Sequence, residues 1–171
     1  CRSLTSPGPD DTQLTEMLTL AARVPDHGKL EPWRFVVLRG TALERLAPLV
    51  QAASADAGNT AEKAQKHGEA FRVPVVVAVV FTPTDSPKVP EWEQFLSAGA
   101  VCLGLVNAAL AMGYGASWLT GVAAAPDFAA AHLGLAPGER IAGFIHIGTG
   151  REAPPSDRPR PDIAAKTTVL K

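Results

Sequence analysis

Apolar residues along this chain change period several times, and each change marks an element. Leu14, Met17, Leu18, Ala21 and Ala22 recur at three- and four-residue spacing. That spacing predicts a helix running to about Val24, capped by Asp10 or Asp11 with Gln13 in its first turn. Trp33 to Leu38 alternates and then runs apolar, as a strand entering a core does. Thr41 stands three residues before Glu44, a capping-box spacing that predicts a helix over about 42–54. Ala55 to Glu69 carries Ala, Lys, Glu and Gln with few large apolar residues, which predicts an exposed and mobile helix. Val73 to Phe81 is close to continuous valine, the signature of a strand covered on both faces.

A single long helix is expected over about 91–112, ended by Gly113. Ser97, Ala98, Gly99, Ala100, Gly104, Ala108 and Ala109 give it a small-residue face that lets another backbone approach closely. Core packing and a subunit interface account for that face equally well. Beyond it, 116–121 reads as a short strand, 126–133 as a helix and 141–149 as a central strand. Residues 1–10 form an extended lead-in, and from Gly150 onward a proline-rich basic tail has no core of its own. Neither apolar run reaches the ~20 unbroken residues of a membrane span. Val73 to Phe81 is short and carries Pro74, and the later run is interrupted by Asn107.

Length and composition narrow the class. The 171 residues fit one domain, with 46% hydrophobic against 19% charged residues, and no internal repeat or domain boundary divides them. A formal net charge of −1 gives no electrostatic case for nucleic acid or an anionic membrane. Cys1 and Cys102 form no disulfide framework. Cys102 reads as a small buried hydrophobe, and the expected setting is a reducing cytoplasm.

Candidate chemistry concentrates between the first helix and the first predicted strand. Pro25, Gly28 and Pro32 break both periods, so regular structure is not expected there. Within it, Arg23, Asp26, His27, Lys29 and Glu31 fall in nine residues. Polar density of that kind between two rigid elements marks a site, and a solvated turn is the competing reading. Other chemistries find no support. His27, His67, His132 and His146 are scattered without metal-ligand spacing. No Gly-x-Ser-x-Gly elbow or P-loop occurs, and Gly113-Tyr114-Gly115 lacks the third glycine of a dinucleotide fingerprint.

The stretch Arg-Val-Pro-Asp-His-Gly-Lys-Leu-Glu-Pro-Trp-Arg-Phe, Arg23 to Phe35, resembles the helix-to-strand loop of the FMN-dependent nitroreductase family, especially its small bacterial NAD(P)H nitroreductase branch. The likeness continues through Lys88-Val89-Pro90-Glu91-Trp92-Glu93, Gly113 to Trp118, and Gly143 to Thr149, so it covers nearly the whole chain in order. It implies an α+β fold with a mostly antiparallel central sheet flanked by helices, dimeric along the small-residue helix. The implied activity is FMN-dependent NAD(P)H oxidoreduction, with ping-pong hydride transfer to nitroaromatics, quinones or similar acceptors and no catalytic acid. Each FMN would lie at the homodimer interface.

By the same resemblance, Arg23 and His27 contact the cofactor's pyrimidine edge, Trp118-Leu119-Thr120 lies along the ring system, and Arg158 and Arg160 are candidates for the phosphate. The implied Arg-Arg-Ser phosphate anchor falls just before Cys1, unless the register slips and Arg2-Ser3 replaces it. Departures are visible. Leu119 stands where a relative carries arginine, and Glu31, acceptor-only when ionised, stands where glutamine is common. A protein that keeps the fold but has lost flavin chemistry, and acts by binding, is therefore the alternative. A reductase of the same family specialised for a 3-oxo acid or a halogenated phenol is a second.

Overall fold

Strand β3, Val75–Phe81, is buried along its whole length, and the molecule is layered around it. The computed structural model describes residues 4–150 and 158–170. In it β2 (Trp33–Arg39) pairs with one edge of β3 and β5 (Arg140–Gly150) with the other. The far edge of β5 carries β4 (Gly115–Leu119), and β1 (Leu4–Thr5) pairs with the end of β5. Every pairing is antiparallel. The expected α+β architecture, helices flanking an antiparallel sheet, is what forms.

Side chains alternate along β3, so the valine run feeds two cores. Val75, Val77, Val79 and Phe81 pack with Ile145 and Ile147 against α1 (Asp11–Ala21) and α4 (Glu91–Ala111). Val76, Ala78 and Val80 pack with Phe144 against α2 (Thr41–Asp56), Phe71 and α5 (Pro126–Leu133). Each fully buried valine contributes roughly 1.5–2 kcal/mol by area removed from water. Gly104 of α4 rides against the backbone of Ala21, where a Cβ would sit 3.1 Å from the Ala21 carbonyl oxygen. Part of the small-residue face is thus used inside the subunit. Cys102 lies fully buried on α4, and desolvation pushes its thiol up to about 12.

Several boundaries differ from the pattern-based expectation. The first helix ends at Ala21, not Val24, and Asp10 and Gln13 close a full capping box at its start. The second begins at Thr41 with Gly40 as its N-cap at φ 47°, so Thr41 is the first helical residue and no Thr41–Glu44 box forms. Residues 55–69 divide between the end of α2 and a separate helix, α3 (Ala61–Glu69). Far from loose, α3 is seated on α2. Gly68 lies so close that a Cβ would be 2.8 Å from the Ala47 carbonyl oxygen, and buried Ser54 bonds the His67 ring at 2.7 Å. The tail contains one short helix, α6 (Ile163–Lys166), and all its described residues are exposed.

Two titratable groups pin loops to the sheet. The Glu139 carboxylate accepts from Arg34 Nε and Nη2, from Thr82 Oγ1 and from the Ala136 amide, which holds its pKa down to about 2. His146, on the central strand and 2% exposed, donates Nδ1–H to the Ala70 carbonyl while Nε2 has no described partner. Burial lowers its pKa to about 4, so the fold favours the neutral ring. The unfolded ring titrates near 6.5, so this contribution is complete above that value and is lost as pH falls towards 4. Unfolding free energy, measured by urea titration, is expected to decline by about 3 kcal/mol across that window through His146. In His146→Asn, which keeps a donor for Ala70, the decline flattens, and an unchanged slope rejects the assignment. Glu139 acts in a lower window, its contribution fading as pH falls from 4.5 to about 2. Glu139→Ala is expected to cost about 2 kcal/mol at neutral pH, reduced from the full value of a buried pair because Arg34 is partly exposed.

Candidate functional site

The loop between α1 and β2 leaves the helix at Ala22 and turns on Pro25 and Gly28. His27 to Lys29 form one 3-10 turn, so the segment is more ordered than its breakers imply. Gly28 has φ 76°, and Lys29 and Glu31 also adopt left-handed backbone, at φ 53° and 48°. Non-glycine residues hold that conformation at a cost of about 1 kcal/mol each. Asp26 organises the strained turn: its carbonyl accepts from the Lys29 amide and its carboxylate from the Glu31 amide at 2.8 Å. Glu31 is thereby engaged through its backbone.

Helix α4 holds this loop from below. Ser97 Oγ donates to the Pro25 carbonyl at 2.5 Å, and one turn earlier Glu93 Oε2 lies 2.9 Å from His27 Nδ1. Pro25, His27, Glu93, Leu96, Ser97 and Ala100 line an open groove of about 340 Å³. The imidazole is 61% exposed and faces that groove from the rim. Arg23, just past the helix end, is exposed and bonds no described residue through its guanidinium. The loop therefore presents the Arg23 guanidinium and one oriented ring beside an apolar helix face. Glu93 and Ser97 are the site residues that loop-centred reasoning misses. Glu93 closes the Lys88 to Glu93 segment and Ser97 opens the small-residue face, but Glu93 stands 66 positions from His27 and nothing in the sequence joins either residue to the loop.

The other expected residues sit elsewhere in the subunit. Trp118 and Leu119 are neighbours on β4 and face opposite sides of the sheet. Trp118 pairs with Ile145 on the α4 side, and Leu119 pairs with Phe144 on the α2 side. The Trp118 indole is 42% exposed and lies across the backbone of Gly143, where an added Cβ would come within 2.0 Å of Nε1. Leu119 and Thr120 line a recess of about 180 Å³ with Phe71, His67 and Val122. Arg158 and Arg160 lie exposed in the tail, Arg160 Nη1 donating to the Arg158 carbonyl, and neither lines the His27 groove. Arg2 and Ser3 fall outside the described residues. Within one chain, then, the loop donors and the Trp118–Thr120 segment occupy separate surfaces.

The indole seat is open to direct test. Gly143→Ala forces Trp118 off the sheet and is expected to cost about 2 kcal/mol of stability, as overpacking does, with a red shift of tryptophan emission. An unchanged urea midpoint would show that the ring is not held there.

A family model for the nitroreductase family matches residues 1–149. The Escherichia coli (strain K12) protein named "Putative NAD(P)H nitroreductase YdjA" is 33% identical over 147 residues, covering 85% of this chain and 80% of that one. A Haemophilus influenzae protein of the same name without the gene symbol is 38% identical over 154 residues, covering 88% and 83%. Among solved structures, a nitroreductase-like family protein from Bacillus cereus superposes with a TM-score of 0.81 at 24% identity, over all of this chain and 90% of that one. A nitroreductase with bound FMN from Bacteroides fragilis gives 0.77 at 17% identity, over 99% and 92%. With a family match across most of its length and relatives above 30% identity, the chain belongs to the nitroreductase family.

Proposed function

We propose that this chain is an FMN-dependent NAD(P)H oxidoreductase that reduces nitroaromatics, quinones or similar electron-poor small molecules. Support comes from relatives named NAD(P)H nitroreductases and from the solved nitroreductase with bound FMN. The observation that carries the reading is the Arg23–Glu31 loop: an exposed guanidinium and an oriented imidazole held at the rim of a groove on an apolar helix.

The donor set fits the group. A flavin ring needs hydrogen-bond donors at its pyrimidine rim, where reduction places negative charge, and an apolar bed for its faces. Arg23 offers five N–H donors in a fixed fork, and His27 keeps Nε2 free. Leu96 and Ala100 supply apolar groove wall, and the exposed Trp118 indole supplies a flat surface. FMN, when bound, supplies a carrier that takes hydride from a reduced nicotinamide and passes it to the acceptor in a ping-pong cycle. The chain's own task is to bind, orient and stabilise charge, with no side chain acting as catalytic acid. Arg158 and Arg160 are the cations this reading assigns to the phosphate, together with any contribution from Arg2.

A homodimer belongs to the same reading. Trp92, Leu96, Leu103 and Leu110 are each more than half exposed and recur along one stripe of α4, with Leu20 of α1 equally bare. A stripe of that length on a helix is an interface in want of a partner, and a second copy covers it. In that assembly, Arg23 and His27 of one copy and the Trp118–Thr120 segment of the other bound the same cofactor. The buried, reduced Cys102 accords with a cytoplasmic setting.

FMN titration followed by quenching of flavin fluorescence tests the reading. Uptake is expected with the wild type, weakened about tenfold in Arg23→Ala and in His27→Ala, as for loss of a charge-assisted hydrogen bond. NAD(P)H oxidation with a quinone should follow the same order. Leu103→Asp is expected to give a monomer by light scattering and to lose FMN uptake with it. A wild type that stays colourless favours the alternative prompted by Leu119 and Glu31, a binding protein on this fold without flavin chemistry.

A further inference from the structure

The contact between Glu93 and His27 has a chemical consequence for the ring. An ionised carboxylate only accepts hydrogen bonds, so the 2.9 Å contact requires the proton on His27 Nδ1. Which nitrogen of an imidazole is protonated is set by the bond the other one makes. The pair is too exposed, at 61% and 32%, to add much stability. Its geometry is nonetheless fixed from both sides. Ser97, 6% exposed and one turn along the same helix face, holds the Pro25 carbonyl, and the 3-10 turn fixes the backbone of His27.

We propose that Glu93 is the positioning residue for His27, and this rests on the FMN reading above. Glu93 pins a proton on Nδ1 and sets the ring plane, so Nε2 is the nitrogen turned to the ligand. In the neutral ring Nε2 accepts, which suits an imide-type N–H at the rim of the ligand. In the protonated ring Nε2–H donates to a rim oxygen, and Glu93 balances the imidazolium charge. One imidazole thus serves both faces of a hydrogen-bonding edge without rotating.

Ring-nitrogen NMR of protein labelled with 15N-histidine tests this without any cofactor, His27 being assigned from the spectrum of His27→Ala. With the ring neutral, the wild type is expected to carry the proton on Nδ1, whereas Glu93→Ala returns His27 to a mixture rich in Nε2–H. Ser97→Ala, which removes the neighbouring clamp, leaves the Nδ1–H form in place. With FMN, Glu93→Ala is expected to weaken binding about tenfold, and to have no further effect in a His27→Ala background. A wild-type ring protonated on Nε2, or equal losses from Glu93→Ala with and without His27, overturns the proposal. Absence of FMN uptake by the wild type defeats the flavin reading instead, and leaves the NMR result to decide whether Glu93 sets the ring.

Discussion

Burial of β3 on both faces is the constraint from which the rest of this structure follows. All seven residues from Val75 to Phe81 are enclosed, so their backbone groups must be paired by protein and not by water. Strands β2 and β5 do this on either edge. A slip of one residue would exchange Val75, Val77 and Val79 with Val76, Ala78 and Val80, presenting each set to the wrong helix layer. Register is therefore fixed, and with it the position of the site. Trp33 pairs with Phe81 at the end of β3, and the Thr82 amide bonds the Pro32 carbonyl, so the preceding loop is delivered beside the first turns of α4. Glu93 and Ser97 need only catch what the sheet brings them.

Two glutamates then show how burial decides what an ion pair is for. Glu139 is 7% exposed and fully satisfied by Arg34, Thr82 and Ala136, so breaking that arrangement strands a charge in low dielectric. It is a rivet between the loop after α5 and the sheet. Glu93 meets a ring that is mostly in solvent, where the same kind of contact is worth little to folding. A weak bond still sets direction and tautomer, and direction is what a ring at a groove's rim needs.

Much of this was readable from the chain. Continuous valine announced β3, three- and four-residue spacing announced α1, and small residues announced α4. Local rules placed α2 but misread its cap, because the turn at Gly40 uses positive φ and makes glycine the cap instead of letting Thr41 reach back to Glu44. The seating of α3 was illegible for a different reason. It depends on the missing side chain of Gly68 and on a buried hydroxyl at Ser54, neither of which carries a hydrophobic signal. The Pro-Asp-His-Gly motif drew attention to His27, but its partner lies on another element, and no periodicity links the two. Alternation along β4 also separated Trp118 from Leu119, which a motif read as three consecutive letters treats as one surface.

Strain in the loop supports the same conclusion by an independent route. Gly28, Lys29 and Glu31 are left-handed within four residues, and two of them lack glycine's freedom. Sequence alone offers glycine as the cheap solution at such positions, and a loop under selection for stability alone would have little reason to refuse it. Here Lys29 and Glu31 occupy them, at about 1 kcal/mol each, beside the exposed ring and its carboxylate. Asp26 absorbs part of that cost through the Glu31 amide, and Ser97 holds the loop's start at Pro25. Backbone strain of this kind persists where surrounding contacts over-determine the conformation, and it gathers at functional sites. Here Asp26 fixes the turn from within, and the contacts on Pro25 and His27 come from α4, the helix whose outer stripe the proposed dimer would cover. Pairing of two chains along that helix would therefore stiffen the loop as well as close the groove, tying cofactor affinity to assembly through the one-turn interval between Glu93 and Ser97.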